Sequence, residues 1–414
     1  MAPIQQSTLP NGLRVAVHPD GSTPLVGVSL TYDVGSRVEQ PGRSGFAHLF
    51  EHLMFQGSAH VPCGDFVQQV QGWGGEVNGV TGVERTTYYH SLPAHRLALG
   101  LWLEADRMRS LNLSSASFEN QQQTVLEEYR ERVEQAAYGR AHGRITEMSY
   151  DSYGYGHPVI GYREDIEQAT LESIARFHRT WYGPDNAVLA ITGDLDPGEA
   201  IDWVEQLFSG VQPGEERPPL AFEQTPRMLP VTERMRDPQA RLPAVFVNHP
   251  SVPYGDPDFF VYEVLETMLF RGASSRLQRK LVTERGTALN LRGGYEAHRG
   301  PSLFSLFAVL PEGSDPSAAV AAYEAELELL TKEAVTEGEL EKVRNQLAAS
   351  RLFGQQSLIS RANSLARSVL FHNDAHFEER YMERVFRVEP EDILRVARRD
   401  FDPNAAVVLE VMAS

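Results

Sequence analysis

The sequence predicts an α+β fold made of two homologous domains, each a sheet packed with helices. The chain has 414 residues, more than a single hydrophobic core normally holds. Strand-like and helix-like patterns follow one another in the same order in both halves, on either side of a proline-rich stretch. A segment near the end of the first half, 182–189, resembles 401–408 near the end of the second. Together these observations indicate an internal duplication.

The elements of the first half follow from residue type and periodicity. Runs that are rich in β-branched residues and bounded by Gly or Pro predict strands. Apolar residues at helical spacing predict helices, as they do between Gly45 and Phe55. In chain order, the predictions are strands at 13–18 and 25–34, a helix at 45–55, strands at 76–81 and 86–90, helices at 93–111 and 116–135, a buried strand at 186–192 and a helix ending near 208.

A proline-rich stretch separates the two halves. Five prolines fall between 213 and 230, and proline lacks the N–H group that helices and sheet ladders need. We therefore predict a first domain at 1–212, a linker at 213–232 and a second domain at 233–414. In the second domain the order of elements returns, with a strand at 243–248, a helix at 257–270, strands at 289–296 and 303–310, and long helices across 315–370.

Composition excludes several classes of protein. A formal charge of −18 repels phosphate backbones, so nucleic acid is not expected as a main partner. The single cysteine, Cys63, excludes a disulfide framework and a cysteine-rich metal site. No apolar run approaches the roughly 20 residues that span a bilayer. The N-terminus lacks the basic start and apolar stretch of a signal peptide, which predicts a cytoplasmic protein, or a periplasmic one if a leader has been removed.

The strongest chemical signal is His48-Leu-Phe-Glu51-His52, inside the first predicted helix. Residues four apart leave the same helix face, so both imidazoles can bind one metal ion such as zinc. Glu51 lies at the edge of that face, within reach of a water on the metal. This H-x-x-E-H order is the signature of the inverzincin metallopeptidases. The competing interpretation is a surface helix with two solvated histidines, but the apolar residues around the motif favour an internal cleft.

Two histidines leave a catalytic zinc ion one protein ligand short. The predicted helix at 116–135 carries several carboxylates, most of which are expected to be solvated. Spacing alone does not choose among the candidates, which are Glu119, Glu127, Glu128, Glu131 and Glu134.

Segments along nearly the whole chain resemble the pitrilysin family of zinc metallopeptidases, and the chain is similar in size to the bacterial and mitochondrial processing-peptidase subunits. The first half resembles the family's opening strand, zinc helix and active-site edge strand, and the second half adds two short landmarks. The resemblance implies two homologous halves, each a mostly antiparallel sheet packed with helices. The matching segments are 8–15, 35–39, 45–57, 78–81 with Glu84, Thr86 and Tyr88, 274–277 and 284–286.

The resemblance also implies which residues hold the metal. Within 125–128, Glu128 corresponds to the family's third zinc ligand. His48, His52 and Glu128 would then bind Zn²⁺, which can lower the pKa of a bound water to about 7. Glu51 would act as the general base that takes the proton of this water.

The family's substrates add as an extra strand to an exposed sheet edge, where backbone hydrogen bonds provide affinity. The corresponding segment here is 75–81, and the resemblance places Asn78 and Thr81 toward the scissile bond. The competing interpretation of both residues is ordinary strand or turn polarity.

Two positions depart from the family pattern. Family enzymes usually carry a Glu seven residues before the third ligand, where this chain has Gln121. This residue would support the zinc site from behind the ligands without a charge. In the second half, the family's substrate-holding Arg and Tyr correspond to Val282 and Leu289, which cannot donate side-chain hydrogen bonds. The chain is therefore expected to lack that half of the site.

The resemblance implies a zinc-dependent endopeptidase subunit that hydrolyses unfolded or short peptides. Only the first half is expected to be catalytic, because the helix at 257–270 carries no histidine. The expected partner is a homologous subunit that carries the Arg/Tyr pair, in a heterodimer, or a second copy of the chain in a homodimer. The competing hypothesis is a non-catalytic subunit that binds peptides or scaffolds a peptidase-like complex.

Overall fold

The computed structural model describes residues 3–220 and 230–414. These residues form two compact units, and each unit collects segments from both halves of the sequence. Within the described residues, the first unit comprises 3–127, Pro158–Leu220 and Leu352–Glu379, and the second comprises Glu128–His157, 230–351 and Arg380–Ser414. Residues 221–229, in the middle of the predicted linker, lie outside the described part of the chain. The last two residues of that linker already belong to a strand, which begins at Val231.

The first unit contains a six-stranded sheet in the order β1-β2-β6-β3-β5-β4. Neighbouring strands are antiparallel except for β2 and β6, which run parallel. The strand β4 forms one edge of this sheet. The strands are β1 (Gln5–Thr8), β2 (Arg14–Pro19), β3 (Leu25–Tyr32), β4 (Val77–Thr81), β5 (Thr86–Pro93) and β6 (Ala187–Gly193).

The second unit repeats this sheet without a counterpart of β1. Its five strands follow the order β7-β11-β8-β10-β9, again with one parallel pair, β7 and β11. The shared strand order supports the duplication, and the predicted α+β fold with mostly antiparallel sheets is confirmed. The strands are β7 (Val231–Arg236), β8 (Ala244–Ser251), β9 (Asn290–Glu296), β10 (Ser302–Val309) and β11 (Val407–Met412).

Fifteen α-helices occur in the described residues, and two of the helical stretches include a π-helical segment, at Arg130–Gln135 and Gln278–Glu284. The α-helices are α1 (Phe46–Leu53), α2 (Asp65–Gly72), α3 (Leu97–Ser110), α4 (Ser115–Tyr129), α5 (Gly139–Ser149), α6 (Tyr153–Gly156), α7 (Arg163–Gln168), α8 (Leu171–Trp181), α9 (Pro197–Phe208), α10 (Phe259–Phe270), α11 (Pro316–Lys332), α12 (Glu337–Gly354), α13 (Leu358–His372), α14 (Phe377–Phe386) and α15 (Pro390–Asp400).

Both faces of the first sheet are buried, which explains the continuous apolar pattern of β6. On one face, residues such as Leu189 and Ile191 join the main core with α1, α3 and α9. On the other face, Val188 and Ala190 pack against α13. The contact between α13 and the sheet is close, because the Thr192 hydroxyl donates to the carbonyl oxygen of Leu358 at 3.1 Å.

The second sheet is covered in the same way by a helix from the first half of the sequence. Ala141, Ile145 and Met148 of α5 pack against the strands at Phe246 and Leu409. Each unit therefore takes one covering helix from the other half of the chain. Each compact unit combines segments of both predicted domains, because the helices α5 and α13 bury their apolar faces on sheets that are distant in sequence.

Across the described residues, no helix combines the length and the apolar character needed to cross a membrane.

The contact between α13 and the first sheet generates a stability prediction. A Cβ at Gly27, in β3, would lie 2.9 Å from the carbonyl oxygen of Leu358. The substitution Gly27→Ala is expected to lower the free energy of unfolding by about 1–3 kcal/mol, because strand and helix must separate. Urea denaturation of the full chain measures this change.

The matched control is Gly72→Ala, at the end of α2, where a Cβ meets no neighbour within 4 Å. This variant is expected to be neutral or stabilised by up to about 1 kcal/mol. Equal stability of both variants and the wild type would contradict the close packing of α13.

Candidate metal centre

The helix α1 carries His48, Glu51 and His52, and neighbouring segments of the chain fix its N-terminus. Gly45, the residue before the helix, has φ +80°, and a Cβ there would lie 2.6 Å from the carbonyl oxygen of Ile160. The buried carboxylate of Glu39 accepts hydrogen bonds from the N–H groups of Gly45 and Ala47, both at 2.8 Å. A carboxylate at this end of a helix satisfies free donors and complements the helix dipole.

A second anchor ties the start of α1 to the start of α7. The Ser44 hydroxyl donates to the carboxylate of Asp165 at 2.6 Å and accepts from the N–H of Tyr162 at 2.8 Å. These contacts connect the helix to a part of the chain more than 100 residues away. The entry of α1 is therefore fixed from both sides.

The apolar face of α1 packs into the main core. Phe50 stacks on His178, with ring centroids 5.1 Å apart. Burial, together with the charge of Arg179, lowers the pKa of His178 to about 4, so its ring is neutral near pH 7 and suits an apolar contact. With this face buried, helical geometry directs the histidine side chains to the other side.

The two histidines lie side by side on that other face. The ring centroids of His48 and His52 are 5.0 Å apart, with an angle of 78° between the ring planes. His48 is buried and His52 is half-buried. The competing interpretation, a surface helix with two solvated histidines, does not fit His48, because the fold encloses this side chain.

Glu128 joins the two histidines from the last turn of α4. One ligand atom from each of His48, His52 and Glu128 lies within 4.8 Å of the others, and this is the only such group in residues 3–220 and 230–414. The segment of the first unit that contains most of α4 ends at Glu127, but the helix itself continues without a break through Glu128. The structure thus brings together the three predicted ligands.

The donor set and its spacing fit a zinc ion. Zinc binds imidazole nitrogen and carboxylate oxygen at about 2.0–2.2 Å, which places neighbouring tetrahedral ligand atoms roughly 3.5 Å apart. Two imidazoles and one carboxylate are a known protein ligand set for catalytic zinc, with a fourth position left for water or substrate.

Glu128 also meets a cation that the sequence did not single out. Arg132 Nη1 lies 2.6 Å from Glu128 Oε1, in an i,i+4 pair. The Arg132 side chain is largely exposed, whereas Glu128 is mostly enclosed. Glu128 belongs to α4, and Arg132 belongs to the π-helical segment Arg130–Gln135. The sequence signal for such a contact is the spacing of four residues between an acidic and a basic residue of one helix.

Gln121 lies on the same face of α4 as Glu128, two turns earlier, and is buried. Val125, between them, is also buried. The location fits the predicted role behind the ligands, which stays a prediction.

Glu51 lies beneath the edge strand β4. A Cβ at Gly79 would lie 3.0 Å from Glu51 Cγ, so the glycine lets the strand backbone pass directly over the carboxylate side chain. Tyr88, in β5, donates from its hydroxyl to the carbonyl oxygen of Phe50 at 3.3 Å. Burial, with the charge of Glu51 among the further causes, holds the pKa of Tyr88 well above its ordinary value, so this hydroxyl stays protonated and can donate.

The strand β4 is paired with β5 on one side, and in the described residues no strand pairs with its other side. The backbone N–H of Ser91 donates to the carbonyl oxygen of Glu76 at 2.8 Å. Antiparallel pairing alternates between residues whose backbone bonds to the neighbouring strand and residues whose backbone points away from it. Gly79 therefore points its N–H away from β5, and the Asn78 side-chain oxygen accepts from it at 2.8 Å. Asn78 is exposed and Thr81 is half-buried. Their contact with substrate stays a prediction.

The two substituted positions of the second half lie in the second unit. Val282 belongs to the π-helical segment Gln278–Glu284, and Leu289, just before β9, is 53% exposed. Neither side chain has a polar atom, so neither can hold a peptide backbone by hydrogen bonds.

Comparisons with known proteins find similar sequences and structures along nearly the whole chain. Residues 14–162 match the family model described as insulinase (peptidase family M16), and residues 168–347 match the model described as peptidase M16 inactive domain. The zinc protease PqqE of Helicobacter pylori is 28% identical over 401 residues, which are 95% of this chain and 89% of that protein. The probable mitochondrial-processing peptidase subunit beta of Schizosaccharomyces pombe is 24% identical over 95% of this chain and 88% of that protein. The crystal structure of a protease from Helicobacter pylori has a TM-score of 0.95 at 26% identity, with both chains fully covered.

The geometry predicts that the chain binds about one zinc ion. Replacing Glu128 by Gln is expected to weaken zinc binding by more than about 100-fold, because a charged ligand is lost from the metal itself. Competition with a chromophoric chelator measures the affinity. Glu127→Gln is the matched control, since Glu127 precedes Glu128 on the same helix but is outside the ligand group. Equal weakening in both variants would show that Glu128 is not a ligand.

Proposed function

Because the chain belongs to peptidase family M16, we propose that it is the metal-binding subunit of a zinc-dependent endopeptidase that acts on unfolded or short peptides. The observation that carries this proposal is the group formed by His48, His52 and Glu128, with Glu51 on the same helical turn. Relatives named zinc proteases support the same chemistry.

The proposed reaction is hydrolysis of a peptide bond. When bound by His48, His52 and Glu128, zinc supplies Lewis acidity, which polarises the scissile carbonyl and makes a water molecule acidic near neutral pH. Glu51 takes a proton from this water as the new C–O bond forms. The same carboxyl then gives the proton to the leaving nitrogen as the C–N bond breaks, which regenerates the carboxylate.

Substrate binding is proposed to occur along β4. A peptide in extended conformation can add to this edge by hydrogen bonds to the outward-facing backbone groups, including the carbonyl oxygen of Gly79. Such bonds do not depend on side-chain identity, so they tolerate many sequences. Because Gly79 lies over Glu51, a peptide in this position runs past the general base. Folded proteins rarely offer a free extended segment, which favours unfolded or short substrates.

A second candidate function is a non-catalytic subunit that binds peptides or scaffolds a complex. The observations that favour it are Gln121, where the family usually carries Glu, and the apolar pair Val282 and Leu289. We rank this function second because the three ligands and Glu51 are all present. Peptide binding without cleavage, in zinc-loaded protein with a partner present, would favour it over the first.

The partner of this chain is proposed to be a homologous subunit. Positioning of the substrate backbone contributes much of the rate of an enzyme, since misplacement by about 1 Å can cost roughly 100-fold. Val282 and Leu289 cannot contribute donors, so another chain with the Arg/Tyr pair would supply them. Two relatives carry the word subunit in their names, which supports a heterodimer, and a homodimer of this chain is the alternative.

The role of Glu51 is tested by Glu51→Gln. This variant is expected to bind zinc as the wild type does but to lose at least about 100-fold in peptide cleavage, because only the base is removed. Fluorogenic peptide turnover and zinc content are both measured. The control is Glu205→Gln, an exposed residue of α9, which should keep full activity. Wild-type turnover by Glu51→Gln would refute the assigned role.

The partner is tested by titration. The isolated chain is expected to cleave peptides slowly, and a homologous subunit that carries the Arg/Tyr pair should raise turnover by about 100-fold, because it supplies the missing donors. A partner in which the Arg and Tyr are replaced by Val and Leu is the control and should not stimulate. Full turnover by the isolated chain would contradict the heterodimer.

A further inference from the structure

Arg107 of α3 is a charged side chain buried inside the first unit, beneath the metal-binding region. It is 2% exposed. Its guanidinium carbon lies 4.5 Å from the ring centroid of Tyr88, 4.7 Å from that of Phe66 and 5.4 Å from that of Phe55. Three aromatic rings therefore surround the cation, an arrangement that is strongest when water is excluded.

Two further polar residues complete this cluster. Arg107 forms an ion pair with Glu104, one turn earlier on α3, and the other oxygen of Glu104 lies 3.2 Å from His90 Nδ1. Burial opposes ionisation of Glu104, but Arg107 and His90 outweigh it and hold the pKa of this carboxyl below its ordinary value. A Cβ at Gly100 would lie 2.6 Å from His90 Nε2, so a glycine on α3 makes room for the ring.

The cluster is costly in stability terms. Taking an arginine and a glutamate out of water is expensive, and well-packed apolar residues of similar volume are often at least as stable. Two nitrogen atoms of Arg107, Nε and Nη1, are also buried without a hydrogen-bond partner in the described part of the chain. Stability therefore does not explain why charged residues occupy this position.

The rings around Arg107 also touch the proposed catalytic machinery. A Cβ at Gly79 would lie 3.3 Å from ring atoms of both Phe55 and Tyr88, so these rings form the floor under the edge strand. Tyr88 additionally donates to the carbonyl oxygen of Phe50, next to Glu51. Phe55 lies two residues after the end of α1. One cation thus contacts the two rings that support both β4 and the end of the helix.

We propose that Arg107, held by Glu104 and His90, is a positioning residue that fixes Phe55 and Tyr88 and thereby keeps β4 and Glu51 in register for peptide cleavage. The inference rests on the proposed function for its catalytic consequence. Its structural part, the ordering of residues 75–81, does not depend on that function. Arg107 is not one of the proposed metal ligands and does not belong to the edge strand β4, where the substrate is proposed to bind.

The test is to replace the ion pair by apolar residues in the full chain, as Glu104→Leu with Arg107→Met. Global stability by urea denaturation is expected to stay near that of the wild type. Amide hydrogen exchange in residues 75–81 is expected to accelerate about 10-fold, because strand and rings are no longer held. In the complex with its partner, kcat should fall about 10-fold with a smaller change in KM, and zinc affinity should not change.

Arg109→Met is the matched control, since Arg109 is an exposed residue of the same helix. A stable double variant with wild-type exchange at 75–81 would overturn the proposal, whatever the activity. If the double variant does not fold, Arg107→Lys decides, because it keeps the charge but not the planar guanidinium. Faster exchange at 75–81 in this variant supports the proposal, and wild-type exchange overturns it. Absence of zinc binding or cleavage in the wild type would refute the proposed function separately, since hydrogen exchange needs neither metal nor substrate.

Discussion

The structure of the first unit depends on two requirements that the short helix α1 has to meet at the same time. Eight residues have to bury one face completely while they present two imidazoles and a carboxylate on the other. Phe50 and its aromatic neighbours satisfy the first requirement. The second requires a helix that cannot tilt or fray, which is why Glu39 and Ser44 fix its entry and Tyr88 fixes its last turn. Glu128 and β4 can meet the helix in a defined geometry only because its orientation is already set.

The duplicated unit keeps this arrangement without the metal. The helix α10 lies against the edge strand β9, and a Cβ at Gly294 would lie 3.0 Å from Glu266 Oε1 of that helix. The relation between a strand glycine and a helix glutamate therefore occurs in both units. In α10, however, no histidine is present and most residues are buried apolar side chains. The sheet and its helix therefore form the same arrangement in the second unit without the two histidines of α1.

Sequence periodicity predicted the strands and helices around the site because burial patterns within an element are local. It could not predict which sheet α13 covers, since an amphipathic helix has a buried face whatever its partner, nor did it identify the short strand β1 at the sheet edge. Spacing alone also left five glutamates open, and the family resemblance selected Glu128, which the structure brings to the histidines. Contacts such as that of Glu39 with Gly45, or of Arg107 with the aromatic rings around it, depend on the tertiary structure, which the periodicity of the sequence does not encode.

The exchange of covering helices has a consequence for how the protein is made. Domains generally fold as they emerge from the ribosome, N-terminal part first. Here the first sheet is complete in sequence at Gly193, but the helix that covers its second face, α13, ends at His372. At typical translation rates of ~5–20 residues per second, the apolar surface of β6 stays uncovered for on the order of ten seconds, until α13 has been synthesised. During synthesis the nascent chain therefore exposes an apolar sheet face of the kind that chaperones bind. In a fragment that stops at residue 212, this face would stay exposed permanently.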